Sequence, residues 1–294
     1  EIPLSFSAQT LYSSFIIEPV KPINFGSTPV NVSVTKQFKI TNNGAFSFEY
    51  EITGKPSPVV PVEAAATDNK KKKQPQKASP AAKGRPRKGN EKSMTVGSFV
   101  FVPSVGVVQP RATATIDIDF NCLLPGFSQS SGIVKISDVD PNLYPEGTPI
   151  EVNGSTFVPG INTTDFERIF AGTHLCLRFD LARITNTTVF LEDEQILHFA
   201  PLILQKKEIV PVTLINPQPI PISVDISIQP NTKSKAAKVN FPFDINEKAV
   251  DIPPNENKIV ELSFSPATQE KFQTIFEAVV KNGTNPDTKC FRFG

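Results

Sequence analysis

Histidine and cysteine do most of the acid–base, nucleophilic and metal chemistry open to a protein near neutral pH, and this chain of 294 residues holds two of the first and three of the second. His174 and Cys176 stand at i and i+2, so an extended segment would turn both to one side and offer two metal ligands. Zinc needs four, and no second pair follows at zinc spacing. His198 sits in the apolar run Ile196-Leu197-His198-Phe199, where a packed or surface imidazole is the plainer reading. Cys122, Cys176 and Cys290 are odd in number and distant in sequence. Tryptophan is absent, which removes the Cys-Trp-Cys signature of secreted immunoglobulin domains. Buried, reduced thiols of a cytosolic protein are expected instead. The triplet Glu192-Asp193-Glu194 lacks the spaced oxygens and glycine of a calcium loop. Asp117 and Asp119 alternate with Ile116, Ile118 and Phe120, which places them on the solvent side of a strand rather than in an acid–base pair. There is no glycine-rich phosphate loop and no Gly-x-Ser-x-Gly elbow. The expectation is a protein that is not an enzyme, with no catalytic residue, cofactor or metal.

Charge offers more. Between Asp68 and Lys92 lie Lys70, Lys71, Lys72, Lys73, Lys77, Lys83, Arg85, Arg87, Lys88 and Lys92, against Asp68 and Glu91. That segment carries +8, so the remainder of a chain of net charge +1 carries −7. Rich in Pro, Ala and Gly and poor in apolar residues, it cannot build a core and is expected to be disordered. Three readings compete: a solvated loop without a partner, electrostatic docking onto an acidic polymer with affinity that falls as salt rises, or nucleic-acid binding. Lys83-Gly84-Arg85-Pro86-Arg87-Lys88 resembles an AT-hook core and could equally serve as a nuclear-import signal; a lone hook in a low-complexity loop carries little weight.

The elements that must display this loop appear twice. Phe15-Ile16-Ile17-Glu18 is answered by Val189-Phe190-Leu191-Glu192, Phe25 by Phe199, and Lys39-Ile40-Thr41-Asn42 by Thr213-Leu214-Ile215-Asn216, all at one offset. Phe99 and Phe101 meet Phe241 and Phe243 at an offset of 142, and Ile116 to Phe120 meet Val260 to Phe264 at 144, both shorter than the earlier 174 because the basic insertion lies only in the first copy. Repeats of this length are domains, not solenoid units. The alternations Ile116-Ile118-Phe120, Val260-Leu262-Phe264, Phe46-Phe48-Tyr50-Ile52 and Ile220-Ile222-Val224-Ile226 have the period of two of half-buried strands. Turns fall at Asn42-Asn43-Gly44, Gln109-Pro110, Asn216-Pro217 and Pro253-Pro254-Asn255. The chain therefore predicts an all-β fold of two tandem β-sandwiches, with its phenylalanines as core. The first spans 1–158, with the basic insertion at about 55–95, and the second spans 185–294. Residues 159–184 are expected as a linker with a short helix, opened by the capping box Thr164-Asp165-Phe166-Glu167. Cys290 to Gly294 mirror Ile150 to Gly154. Five Asn-x-Ser/Thr triplets (at Asn31, Asn153, Asn162, Asn186 and Asn282) give little weight to glycosylation. The chain opens at Glu1 without a signal-like start, and Ile2 to Ser7 resemble the last strand of a preceding module, so a piece of a longer polypeptide is expected.

The modules resemble the MSP/ASH group of immunoglobulin-like domains. The likeness rests on a Phe-Gly opening strand (Phe25-Gly26; Phe199-Ala200), a Phe-x-Ile-Thr-Asn strand end (Phe38 to Asn42; Val212 to Asn216) and a proline turn before an alternating strand. The second copy departs from it at Ala200 and at the proline-dense Pro217-Gln218-Pro219-Ile220-Pro221. Pro159 to Phe170, with Val189 to Glu194, look more narrowly like the giant tandem-module proteins of the ciliary central apparatus. That resemblance covers both modules and excludes the insertion. It implies a non-enzymatic scaffold segment of the axoneme of cilia or flagella, cytoskeletal and microtubule-associated, spacing and anchoring other central-apparatus proteins and required for motility. It also implies partners among those proteins, the microtubule surface or acidic tubulin tails, and none in a membrane or nucleic acid. The alternative is an adaptor like the VAP-type MSP domains, which bind short acidic motifs. Val107 to Thr113 resemble the corresponding turn there, but the expected basic strand after Ile52 is replaced by Gly54-Lys55-Pro56. An extracellular adhesion or periplasmic chaperone sandwich is a third reading, disfavoured by the odd cysteines.

Overall fold

The computed structural model describes residues 9–55, 92–183, 186–230 and 241–294. The chain divides into two compact units, Glu1–Phe157 and Val158–Gly294. Among the described residues no helix is long and apolar enough to cross a membrane.

Among the described residues the first unit is a sandwich of ten strands: β1 (Phe15–Glu18), β2 (Ile23–Pro29), β3 (Val34–Asn42), β4 (Phe48–Lys55), β5 (Met94–Val96), β6 (Phe99–Val102), β7 (Val105–Val108), β8 (Thr113–Phe120), β9 (Gly126–Ile136) and β10 (Thr148–Phe157). One sheet has the order β1-β3-β8-β6-β5 and the other β2-β10-β9-β4-β7. All neighbours are antiparallel except β2 and β10. The alternation read from the sequence is the burial pattern: Phe38, Ile40, Ile116, Ile118, Phe120, Phe99 and Phe101 are at most 1% exposed. Across the outer side of the same strands Asp119 accepts from the Thr35 hydroxyl at 2.6 Å and Asp117 from the Gln37 amide at 2.7 Å. Both aspartates thus serve cross-strand pairing.

The second unit repeats this with β14 (Glu208–Ile215), β15 (Ile222–Pro230), β16 (Phe243–Ile245), β17 (Ala249–Ile252), β18 (Asn257–Phe264), β19 (Thr274–Val280) and β20 (Cys290–Phe293). Its sheets run β14-β18-β16 and β17-β15-β19-β20. Before them come the four-residue helix α1 (Phe166–Ile169) and a three-stranded sheet of β11 (His174–Cys176), β12 (Val189–Leu191) and β13 (Ile196–His198), with a 3-10 turn at Arg178–Arg183. Pro211 lies in the middle of β14, opposite Glu261, on a strand at the edge of its sheet. A proline there removes no ladder hydrogen bond.

Three expectations change. Residues 189–191 match β1 in composition, but β12 pairs with β11 and β13, not with β14. The side of β14 that corresponds to β1's place on β3 is taken by Ile161 and Asn162, with Asn162 donating its N–H to the Ile215 carbonyl at 2.9 Å. The stretch 159–184, expected as a linker, therefore supplies core to the second unit: Ile161, Ile169 and Phe170 are at most 1% exposed within it. The helix is capped by Asp165, whose carboxylate accepts from the Arg168 N–H at 3.3 Å, and not by the Thr164 hydroxyl. Thr164 and Asp165 instead donate their own N–H groups to the Asn162 side chain, each at 3.0 Å. Finally, β20 aligns three residues away from the expected Ile150–Gly154 match. Pairing along β4 and β9, and along β15 and β19, puts Val134 and Ala278 at equivalent places. Their partners are Thr148 and Phe291.

Both strand-end asparagines are buried, Asn42 to 0% and Asn216 to 1% exposure. The Asn42 Nδ2 donates to the carbonyls of Phe46 and Val108, both at 2.9 Å, while its Oδ1 accepts from the Gly44 N–H at 2.8 Å. Asn216 Nδ2 donates to Ile220 and Pro253, both at 2.8 Å, and more weakly to Ile252 at 3.2 Å. Its Oδ1 accepts from the Gln218 N–H at 3.0 Å. Each carboxamide thus ties the turn after its own strand to the end of a strand of the opposite sheet. Asn42→Ala or Asn216→Ala should each lower stability by about 2–3 kcal/mol, because buried carbonyls lose their donors. Asp in either place should be worse at neutral pH, since it presents oxygen to carbonyl oxygen. Urea denaturation of the single variants measures both effects.

A close approach brings together the strands that flank the insertion. A Cβ on Gly54 would stand 2.6 Å from Val96 Cγ2 and 3.0 Å from the Ser131 carbonyl oxygen. Gly54→Ala is expected to destabilise the first unit by about 1–3 kcal/mol through overpacking. Val96→Ala in the same molecule should recover part of that loss, a coupling that a double-mutant cycle reads directly.

Candidate functional site

The basic residues Lys70, Lys71, Lys72, Lys73, Lys77, Lys83, Arg85, Arg87 and Lys88 lie outside the described residues, as does the expected disorder of that segment. Lys92 is described and exposed, and its carbonyl accepts from the Ser104 N–H at 2.8 Å. The frame around the segment is well defined. β4 pairs with β9 in one sheet as far as Lys55↔Ser131, and β5 resumes in the other, paired with β6. The insertion thus leaves from one sheet and returns to the opposite one, at the place where Gly54 meets Val96. Residues 231–240 occupy the same position between β15 and β16 of the second unit and are likewise outside the described residues.

On β11, His174 is exposed and Cys176 buried. Burial, followed by Asp180, Asp193 and Glu192, pushes the Cys176 thiol above its ordinary value. Cys290 is raised by burial and by Glu277, against Arg292 and Lys289. For Cys122 burial acts upward, but hydrogen bonds with the Leu124 backbone and the Ser98, Thr156 and Ser128 side chains prevail and leave it lowered. His198 is held below the usual imidazole value by burial and by Arg178, against Glu194. The acidic turn is also engaged: Asp193 accepts from the Arg178 N–H, and Glu194 pairs with the Arg178 guanidinium at 3.0 Å. Among the described residues no three His, Cys, Asp or Glu side chains gather as a metal site.

A concave surface of the first unit was not signalled by any motif. It is a groove of about 490 Å³ between β1 and the first residues of β10, lined by Phe15, Ile16, Val20, Tyr144, Thr148 and Ile150. It exists because β2 joins β10 only from Val152 onward, at Val152↔Ile23. Among the described residues, Thr148 to Glu151 therefore have no strand on that side. β1 forms the opposite wall as an edge strand. The sequence signal that bears on it is a length difference: four residues, Pro19 to Pro22, separate β1 from β2, whereas over thirty separate Asn162 from β13 in the second copy.

No family model matches the chain. In sequence it is 25% identical over 300 residues to the hydrocephalus-inducing protein of Mus musculus and 24% identical over 298 residues to the homologous protein of Homo sapiens. Each likeness covers 95% of this chain and 6% of the relative, so the chain spans a small fraction of the length of the curated relatives it matches. Among solved structures, a human CEP192 ASH/PapD-like domain aligns with TM-score 0.33 and 11% identity, over 53% of this chain and 97% of that one. The Caenorhabditis elegans MSP family member WR4 aligns with TM-score 0.26 and 10% identity, over 50% and 100%. In sequence, across both of its sandwiches, the chain is similar to hydrocephalus-inducing protein, or hydin.

Proposed function

We propose that the chain is a non-enzymatic scaffold segment of a giant tandem-module protein of the ciliary or flagellar central apparatus. In this role it spaces and anchors other axonemal components. The observation that carries this reading is the hydin likeness along 95% of the chain, through both modules. Two further features support it. Each unit closes a core of its own around one buried asparagine, so the pair can act as spacers without an induced fold. The +8 insertion is set into a chain that is otherwise −7, which favours an acidic surface as the contact of its lysines and arginines. The microtubule lattice with its acidic tails is such a surface.

Co-sedimentation with microtubules, run for the whole chain beside a version lacking residues 55–95 across a salt series, tests the anchoring role. The whole chain should pellet at low salt and be released as salt rises, since screening shortens the reach of each charge to about 8–10 Å. The deleted version should stay in the supernatant, and removal of the tubulin tails should release the whole chain. Equal pelleting of the two versions, or pelleting of neither at low salt, would remove the insertion as an anchor.

A further inference from the structure

The two units treat the same space differently. In the second, the region between the edge of β14 and the start of β20 is filled by aromatic rings from the excursion that leads into β13. Phe170 stacks on Phe190 with centroids 4.0 Å apart and meets Phe293 edge-on at 5.2 Å and Phe291 at 6.2 Å. Phe166 adds a tilted contact with Phe190 at 5.1 Å. Phe170 and Phe190 are at most 1% exposed.

In the first unit the places of Phe291 and Phe293 are held by Thr148 and Ile150, both on the wall of the 490 Å³ groove. Among the described residues no excursion fills it. Ile16 on the β1 wall is 48% exposed and Val20 at the mouth 93%, while Tyr144 leans on Phe15 at 5.0 Å. The Oγ1 of Thr148 is buried without a hydrogen-bond partner among the described residues, a group that a bound backbone would satisfy. The volume falls within the range of about 300–1,000 Å³ typical of ligand pockets. The charged side chains on its lining, Lys21 and Glu151, are of opposite sign.

We propose that this groove docks a segment of a partner protein that carries two aromatic side chains one helical turn apart. The pattern is that of Phe166-Glu167-Arg168-Ile169-Phe170, by which the second unit fills the corresponding space from its own chain. The rings take the apolar floor between Ile16 and Ile150. The insertion of the same unit is basic but has no aromatic residue between positions 56 and 91, so it does not meet this requirement. The inference does not depend on the axonemal role.

The test uses a labelled synthetic peptide of residues 162–172 as the probe, titrated into the whole chain by fluorescence anisotropy and followed by methyl NMR. Saturable binding is expected, with shifts at the methyls of Ile16, Ile17, Val20 and Ile150. Ile16→Glu and Val20→Glu, both at exposed positions, should each weaken it by about tenfold or more. Unchanged thermal unfolding of these variants shows that the fold is intact, and Ile209→Glu, exposed on the second unit, should bind normally. A peptide with both phenylalanines changed to serine should not bind. No saturation, binding indifferent to Ile16→Glu, or shifts confined to the second unit would overturn the proposal. So would two results that identify another occupant: self-association of the chain that Ile16→Glu abolishes, or affinity that rises when residues 1–8 are deleted.

Discussion

One buried carboxamide per module is the constraint on which the rest of each sandwich depends. A sandwich needs its two sheets held in register where the chain crosses between them, and apolar packing alone gives no direction. Asn42 and Asn216 supply it: each satisfies carbonyls at a turn and on the opposite sheet with the two hydrogens of one amide. Buried, fully paired polar groups of this kind select one arrangement among many of similar apolar burial. With that corner set, the neighbouring strands can change length and the intervening loop can grow, because closure entropy rises only slowly with loop length. The first module, with its long insertion between β4 and β5, and the second, with twelve residues between β15 and β16, keep the same corner.

Much of this was legible beforehand, and for a physical reason. The strands β3, β8, β14 and β18 bury one side only, so their period of two is written in the residues, and the repeated Asn at the strand end marked the corner before its role was visible. What failed was matching by residue type at the module's first strand. Val189 to Leu191 look like β1, yet apolar strands tolerate a slip or a change of partner without any change in composition. The actual counterpart, Ile161 and Asn162, is held by a single backbone hydrogen bond to β14 and leaves no periodic trace. The groove was invisible for a related reason: it is a filler missing from one copy, and only the register of β10 against β20 shows where the filler would sit.

The helix α1 illustrates how local and tertiary signals divide the work. Four residues are too few to be stable alone, and the sequence places the cap at Thr164, one residue before the Asp165 that provides it, without saying what the helix is for. Its persistence comes from Ile169 and Phe170, buried in the second unit's core. Propensity placed the turn, and aromatic packing keeps it there.

Pro211 carries a consequence for how such a chain reaches its native state. Two near-copies on one polypeptide are each other's nearest source of a wrong strand, because tethering keeps each at high effective concentration near the other. Exchange of elements between alike domains is a characteristic failure of tandem proteins. β14 lacks the covering strand that β1 gives to β3, and Pro211 removes a backbone donor from the middle of it. An intruding strand would find that ladder interrupted at its centre. Divergence between the copies at this edge therefore guards the fidelity of folding, and a substitution that restored the missing N–H would be felt as misassembly of the tandem before it was felt as any loss of native stability.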